Sequence, residues 1–91
     1  MIDYQHVFSL GATDRYGEVG LYQKRYIGTQ HRHTITQKVY TISDVVWIGD
    51  TDEWGFEHIE VGSTVKFVRS IRNFFGIHDN GAQRFIPIEV L

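Results

Sequence analysis

Residues 62–91 read GSTVKFVRSIRNFFGIHDNGAQRFIPIEVL, and this stretch decides the predicted fold. Over Thr64–Phe67, apolar and polar residues alternate with the period of two that a half-buried strand requires. Phe75 and Ile77 continue the same alternation after Asn73. This register predicts that Phe75 and Ile77 face the core, whereas Phe74 faces outward.

The pair Asn80-Gly81 predicts a tight turn within this stretch. Both residues tolerate the positive φ angles of a type I′ hairpin turn, whose geometry matches the twist of the flanking strands. We therefore expect the end of the chain to form three short strands joined by tight turns.

Further strands are predicted upstream, because β-branched and aromatic residues recur between clusters of turn-forming residues. Ser43 and Asp44 could cap a short helix over residues 45–48, but Val45, Val46, Trp47 and Ile48 favour a strand. Polar turns are predicted over residues 11–17 and 49–53. The predicted upstream strands cover residues 4–10, 19–27, 31–42 and 45–48.

The composition of the chain indicates one small all-β domain. Its 91 residues are 42% hydrophobic and 14% aromatic, with nine glycines, one proline and no cysteine. Such a chain can bury a core without disulfide bonds, and it has no thiolate for catalysis or for zinc. It contains neither an apolar run of membrane-spanning length nor a signal peptide, so we expect a cytoplasmic protein.

Three motifs near the end of the chain resemble the closing half of a Src-homology-3 (SH3) domain. The motifs are Val61-Gly62-Ser63, Phe74-Phe75, and the run from Gly81 to Phe85-Ile86-Pro87. The corresponding family pattern is Lys-Gly-Asp, Trp-Trp, then Gly-x-x-Gly-aromatic-Ile-Pro. The resemblance is closest over residues 62–91 and looser over residues 39–61. It implies a small antiparallel SH3-like barrel over residues 39–91.

Under this resemblance, residues 1–38 form an N-terminal β extension packed on the barrel, within one compact domain. The opening motif of the family, Ala-Leu-Tyr-Asp-Tyr, could fall on residues 39–41 or on residues 45–47, and the sequence leaves both alignments open. After Pro87 the chain lacks the Tyr and Asn with which the family helps to bind proline-rich peptides. Fold alone does not identify a ligand, so a partner must be inferred from surface chemistry.

Charge is unevenly distributed along the chain. Six acidic residues and no Lys or Arg lie between Lys38 and Lys66, whereas the segments on either side are net basic. An acidic run beside aromatic residues would steer and bind a basic peptide or protein surface. We therefore predict a non-catalytic protein-interaction module such as an adaptor, an inhibitor or an assembly subunit. The predicted partner-binding residues are Asp50, Asp52, Glu53, Trp54, Glu57, Phe74 and Pro87.

The main alternative is a metal-dependent small β-barrel enzyme centred on His31 and His33. Two histidines at i and i+2 lie on one face of a strand, a spacing that zinc and non-haem iron sites use. A cupin-type site would also need an acidic ligand near the position of Gln37 and a second histidine motif after Gly62. The missing ligands favour two ordinary strand histidines, and no metal or other cofactor is predicted.

A nucleic-acid-binding small barrel is the third possibility. Basic and aromatic residues could share one surface and stack on bases, but the pI of about 6.2 argues against general phosphate binding. Catalytic serines are not indicated either, because no serine lies in a nucleophile motif. The candidate nucleic-acid surface would comprise Tyr22, Lys24, Arg25, Tyr26, Arg32 and Lys38.

Overall fold

A computed structural model describes residues 15–88, which form one antiparallel sheet of five strands and two helices. The strand order is β4-β3-β2-β1-β5. The predicted all-β, antiparallel fold class is therefore confirmed, whereas the strand predicted over residues 4–10 lies outside the described residues. The elements are α1 (Arg15–Tyr26), β1 (Gln30–His33), β2 (Val39–Ile48), β3 (Glu53–Glu60), β4 (Lys66–Ser70), α2 (Ile71–Phe74) and β5 (Phe85–Ile88).

The sheet does not separate at the domain boundary predicted after residue 38. That boundary falls in the turn between β1 and β2, and β1 lies between β2 and β5 in the sheet. Residues on both sides of the boundary therefore build the same sheet, with the earlier part of the chain contributing α1 and β1.

The hairpin of β2 and β3 contains the strand at residues 45–48 and the turn after it that the sequence predicted, whereas no strand was predicted for β3. Residues 45–48 belong to β2, and residues 49–52 form the turn that precedes β3. Trp47 pairs with Trp54 across the two strands, and their rings meet edge to face with centroids 5.1 Å apart. Such cross-strand aromatic pairs stabilise a hairpin and fix its register.

The single strand predicted over residues 31–42 is wrong, because the chain reverses between β1 and β2. The amide of His33 donates to the carbonyl of Lys38 at 2.8 Å, and the amide of Gln37 donates to the carbonyl of His33 at 2.8 Å. Gln37 has a φ of 65°, in the left-handed region that glycine usually occupies. The β-branched residues of this turn, Thr34, Ile35 and Thr36, favour strands, which explains the error.

The strand predicted over residues 19–27 is also wrong, because residues 15–26 form helix α1. Tyr22 and Tyr26 share one face in a strand and also in a helix, so their spacing cannot distinguish the two. Val19 and Tyr22 both pack against the core, however, and a separation of three residues fits only a helix. Helix α1 thereby covers part of the sheet with aromatic rings.

The strand predicted after Asn73 is wrong, because helix α2 includes Phe74 and the residues after it form a turn with an isolated bridge between Ile77 and Gln83. Phe75 is half-buried and packs against the core, as predicted. The Ser70 hydroxyl caps this helix by accepting a hydrogen bond from the Asn73 amide at 3.0 Å. Ile71 and Phe74, three residues apart, are fully buried. Ile77 is 61% exposed, so the prediction that Ile77 faces the core and Phe74 faces outward is wrong.

The turn predicted at Asn80-Gly81 is present, but its type differs from the prediction. The amide of Gly81 donates to the carbonyl of His78 at 2.9 Å, and the amide of His78 donates to the carbonyl of Ala82 at 2.8 Å. Gly81 has a φ of 85°, whereas Asn80 is not among the described residues with positive φ. This is a three-residue loop with a left-handed glycine instead of a two-residue type I′ turn.

The core lies on one face of the sheet and is built mainly from aromatic rings. Phe74 stacks on Phe85 with centroids 4.1 Å apart and an angle of 3° between the rings. Phe56 meets Phe74 edge to face at 5.2 Å. The buried hydrophobic residues are Tyr22, Ile42, Val45, Trp54, Phe56, Ile71, Phe74 and Phe85.

The curvature of the sheet brings its two outer strands close together on the core side. The guanidinium carbon of Arg69, on β4, lies 5.8 Å from the ring centroid of Phe85, on β5. These strands do not pair with each other within residues 15–88, because each is hydrogen-bonded only to its neighbour in the sheet. Side chains therefore bridge the gap between β4 and β5.

We expect Phe74→Ala to destabilise the protein by about 3 to 5 kcal/mol, because it removes the ring at the centre of the core. Ile77→Ala is the matched control, since Ile77 is 61% exposed and its truncation should cost less than about 1 kcal/mol. Chemical denaturation of the two variants measures both values. Similar losses from the two substitutions would contradict the described register.

Candidate functional site

Two of the four predicted partner-binding acids are neutralised by basic groups of the same chain. Oε2 of Glu53, a buried residue, lies 3.5 Å from Nη2 of Arg72. Oε1 of Glu57 accepts a hydrogen bond from the Ser43 hydroxyl at 2.9 Å and lies 3.7 Å from Nζ of Lys66. Glu53 and Glu57 therefore contribute less to an attractive field than their sequence positions suggest.

The other two predicted acids, Asp50 and Asp52, are exposed in the turn between β2 and β3. Neither forms an ion pair with any residue of the described chain. Asp52 has a φ of 52°, which a short polar side chain tolerates better than most others. The acidic surface that a partner can reach is therefore concentrated at this turn.

The prediction that Trp54 and Phe74 line an exposed binding groove is wrong. Trp54 is only 6% exposed, because its pairing with Trp47 places it on the core face of β3. Phe74 is fully buried, because it projects from α2 into the core. Pro87 is exposed on β5, where it pairs with His31. The structure thus does not assemble these residues into one groove.

His31 and His33 lie on the same face of β1, as the sequence predicted, but their surroundings differ. Nε2 of His31, a buried residue, is 3.0 Å from the hydroxyl of Thr29. Nδ1 of half-buried His33 accepts a hydrogen bond from the Thr36 amide at 3.2 Å. Among the described side chains, those of residues 19–88, no group of three or more His, Asp or Glu is arranged to hold a metal ion.

The buried histidines of the core face are poor bases. Burial lowers the pKa of His31 to about 4, with a smaller contribution from the charge of His58. Burial also lowers the pKa of His58, and Arg69 lowers it further, while a hydrogen bond to the Phe56 carbonyl acts in the opposite direction. His31 and His58 both meet the ring of Phe74 edge to face. Their neutral forms therefore belong to the core.

The tyrosines of the candidate nucleic-acid surface do not form a stacking platform. Tyr22 is fully buried, and half-buried Tyr26 packs against Phe56 and Phe75 with centroids 5.2 and 5.5 Å away. Their expected exposure beside Lys24 was wrong because it relied on a strand instead of a helix. Base stacking requires accessible ring faces, which these two residues do not provide.

Strand β4 presents apolar side chains that the sequence prediction did not assign to a site. Phe67 is 46% exposed and Val68 is 51% exposed, and they lie on opposite faces of the strand. The alternation of residues 64–67 correctly indicated a strand here. It could not reveal that this strand lies at the edge of the sheet, since strand order depends on long-range pairing.

Two arginines near the end of the described chain were also missed. Arg69 and Arg84 are half-buried, and neither forms an ion pair with a described residue. The net basic character of residues 66–91 was the available signal. The sequence could not show that the two guanidinium groups converge, because they lie on either side of the α2 segment.

Neither helix in the described part of the chain has the length and apolar character needed to cross a membrane.

Comparison with known proteins provides no relative from which a function could be transferred. No protein-family model, no curated protein and no solved structure matches this chain. The function is therefore inferred from the chemistry of the surface.

Stability should fall as the pH decreases below 6.5, because His31 has a folded-state pKa of about 4 and must stay neutral in the core. The unfolded chain binds protons in this range and the folded protein does not. The loss attributable to His31 should reach about 2 kcal/mol near pH 5, above the range in which most carboxyl groups titrate.

Denaturant unfolding at several pH values would measure this dependence. His31→Gln should be less stable at neutral pH yet show a shallower decline between pH 6.5 and about pH 5, with the remaining slope due to His33 and His58. An unchanged slope in this variant would show that His31 does not titrate on unfolding.

Proposed function

We propose that this chain is a non-catalytic protein-interaction module of SH3-like type, which binds an extended peptide segment along the outer edge of β4. The observation that carries the proposal is the position of β4 at the edge of the sheet, with half-exposed apolar side chains on both of its faces. Cytoplasmic location remains a prediction from the sequence.

The backbone of β4 supports this proposal. Residues 66–70 pair with β3 on one side only, and on the other side no strand of the described chain pairs with them. An unpaired edge offers backbone N–H and C=O groups to an incoming strand. In strand addition, these groups supply affinity and the alternating side chains supply specificity.

The side chains along β4 suit an apolar partner strand. Phe67 lies next to His58 and Tyr40 on the core face, with a centroid distance of 6.0 Å to each. Val68 projects from the opposite face, and Val65, just before the strand, is 56% exposed. Covering these groups would remove apolar surface from water on both sides of an added strand.

The other edge of the sheet is less suitable for strand addition. Strand β5 contains Pro87, which has no backbone N–H to donate. Proline at an edge is one of the means by which proteins prevent unwanted strand pairing. Strand β4 contains no proline, although Lys66 and Arg69 limit nonspecific pairing there.

The acidic turn supports a basic partner. Gly55 pairs with Ser70 at one end of β4, and Glu53 starts β3 two residues beyond Gly55. The turn that carries Asp50 and Asp52 therefore lies beyond the Ser70 end of β4. A peptide that extends past this end would place Lys or Arg side chains near two uncompensated carboxylates.

The arrangement of elements supports the SH3-like assignment. A small antiparallel sheet, with a tight turn shortly before the final described strand, agrees with what the sequence motifs imply. Both candidate positions for the opening motif, residues 39–41 and 45–47, lie on β2, so the strand does not distinguish the two alignments. The assignment therefore rests on residues 62–91. Interaction surfaces differ widely among small barrels, so the proposed binding site depends on the unpaired backbone and exposed side chains of β4 and not on the family resemblance.

Selection of binders from a random peptide library tests the proposal directly. We expect enriched peptides to combine alternating apolar residues with Lys or Arg at one end. Binding of a selected peptide should shift the backbone amide resonances of residues 66–70. Val68→Gln should weaken binding about tenfold, as expected for loss of an interface anchor.

Ile86→Gln is the matched control, since Ile86 on β5 is 47% exposed and its replacement should leave peptide affinity unchanged. Equal losses from Val68→Gln and Ile86→Gln, or resonance shifts confined to other strands, would refute binding at β4. A concentration-dependent dimer that Val68→Gln dissociates would instead identify a second copy of the chain as the occupant of this edge.

A further inference from the structure

Four side chains that carry or can acquire positive charge lie near one another between α2 and the start of β5, and two of them contact Phe85. The rings of His33 and His78 are 5.0 Å apart. His33 meets Phe85 edge to face at 5.2 Å, and the guanidinium carbon of Arg69 lies 5.8 Å from the centre of the same ring. Arg84 directly precedes Phe85 in the chain. We call Arg69, Arg84, His33 and His78 the cationic cluster.

Asn73 holds the two arginines of the cationic cluster together. Nη1 of Arg69 donates to Oδ1 of Asn73 at 2.7 Å, and Nη1 of Arg84 donates to the Asn73 carbonyl at 2.7 Å. Nη2 of Arg84 also donates to the Ile77 carbonyl at 3.1 Å. These acceptors are neutral, so they orient the guanidinium groups without compensating their charge.

No carboxylate forms an ion pair with the cationic cluster among the side chains that the structure describes, those of residues 19–88. The three ion pairs there join Lys38 to Glu60, Lys66 to Glu57 and Arg72 to Glu53. Asp79 follows His78 in the sequence, but it is exposed and forms no ion pair. The positive charges are thus held close together by neutral partners and by packing on an aromatic ring.

The short distances between the basic side chains of the cationic cluster make it electrostatically unfavourable. Burial lowers the pKa of His33, and His78, Arg69 and Arg84 lower it further. Burial also lowers the pKa of Arg69, followed by the charge of Arg84, whereas Tyr40 acts in the opposite direction. A bound anion would relieve this repulsion.

Unused hydrogen-bonding capacity points toward the same kind of ligand. Arg84 already spans two backbone carbonyls, so a structural role in fixing the loop after α2 accounts for it. Arg69 donates one hydrogen bond, which leaves other N–H groups of its guanidinium for a ligand. Nε2 of His78 is buried and has no hydrogen-bond partner. An oxyanion could accept hydrogen bonds from both residues.

We propose that the cationic cluster binds a tetrahedral oxyanion, the phosphate group of either inorganic phosphate or a phosphate monoester. A dianion suits a cluster with two permanent charges and two histidines better than a single carboxylate does. Arg69 supplies the main charged contact, His33 adds charge when protonated, His78 offers its unpartnered Nε2, and Arg84 sets the shape of the site. The site lies on the core side of β4 and does not require peptide binding at the strand edge.

Titration with sulfate and with phosphate at constant ionic strength tests this proposal. Saturable binding of one anion per chain is expected, with resonance shifts of the Arg69 side chain and of the His33 and His78 imidazoles. Arg69→Gln should weaken anion binding about tenfold, as expected when a charge-assisted contact is lost. Arg69→Lys should restore part of the affinity.

Arg72→Gln is the control, because Arg72 is an exposed arginine three residues away that pairs with Glu53. It should leave anion affinity unchanged, as should Val68→Gln at the strand edge. Shifts that do not saturate, or equal losses from Arg69→Gln and Arg72→Gln in folded variants, would overturn the site. Retained anion binding in Val68→Gln separates this test from the test of the β4 edge.

The pH dependence of sulfate binding supplies a readout that a purely structural role would not affect. Sulfate keeps its charge between pH 5 and pH 8, so tighter binding at lower pH would come from protonation of the protein. In the anion-free protein the pKa of His33 is lowered from its ordinary value of 6.5. The affinity for sulfate should therefore rise as the pH falls below 6.5. His33→Gln should flatten the profile, whereas a pH-independent affinity in the original protein would overturn the role of the histidines.

Comparing inorganic phosphate with glycerol phosphate identifies the source of the anion. Tighter binding of the ester would indicate a phosphate monoester as the natural ligand, and tighter binding of the free ion would indicate inorganic phosphate. Both results support the site. If neither anion binds at pH values where His33 is protonated, the site is overturned.

Discussion

The stacking of Phe74 on Phe85 links the parts of this protein that local hydrogen bonds alone would leave separate. Helix α2 positions one ring and β5 positions the other, and the rings lie parallel at 4.1 Å. Buried aromatic surface of this size contributes strongly to folding. Displacing either ring would disturb the packing of His31 and His58, which both contact Phe74.

The same contact positions both of the binding surfaces proposed above. Phe85 lies beneath Arg69 and beside His33, so its position determines where positive charge collects. Arg69 belongs to β4, whose opposite, outward-facing edge is free within the described chain. One short strand therefore contributes to the inner cationic cluster through a side chain and to the outer edge through its backbone. Two different ligands could be bound without competing for the same atoms.

Local patterns were sufficient for the second half of β2, for the turn after it and for β4. Residues 45–48 were predictable as a strand, because these β-branched and aromatic residues precede a polar turn. Helix α1 was not, because Tyr22 and Tyr26 share a face under either periodicity. Helix α2 is a single turn that depends on the Ser70 cap, and so short an element leaves little periodic signal.

The candidate site was less predictable than the fold, because its properties depend on residues distant in sequence. The sequence identified the run of acidic residues between Lys38 and Lys66. It could not show that Glu53 pairs with Arg72, because this ion pair forms only when β3 and α2 meet. Exposure of Trp54 could not be judged without its partner Trp47. The net charge of a segment indicates the sign of its electrostatic field, but the tertiary structure determines which of its charges are paired with opposite charges.

The position of β1 between β2 and β5 has a consequence for how the molecule folds. Its pairing with β2 closes a short turn, but its pairing with β5 joins His33 to Phe85 across most of the described chain. Closing such a long loop costs conformational entropy before any contact is gained. The hairpins of β1 to β4 should therefore form early, and docking of β5 should be the slow, cooperative step. Until then β1 would expose one unpaired edge, which makes this strand a risk for aggregation during folding.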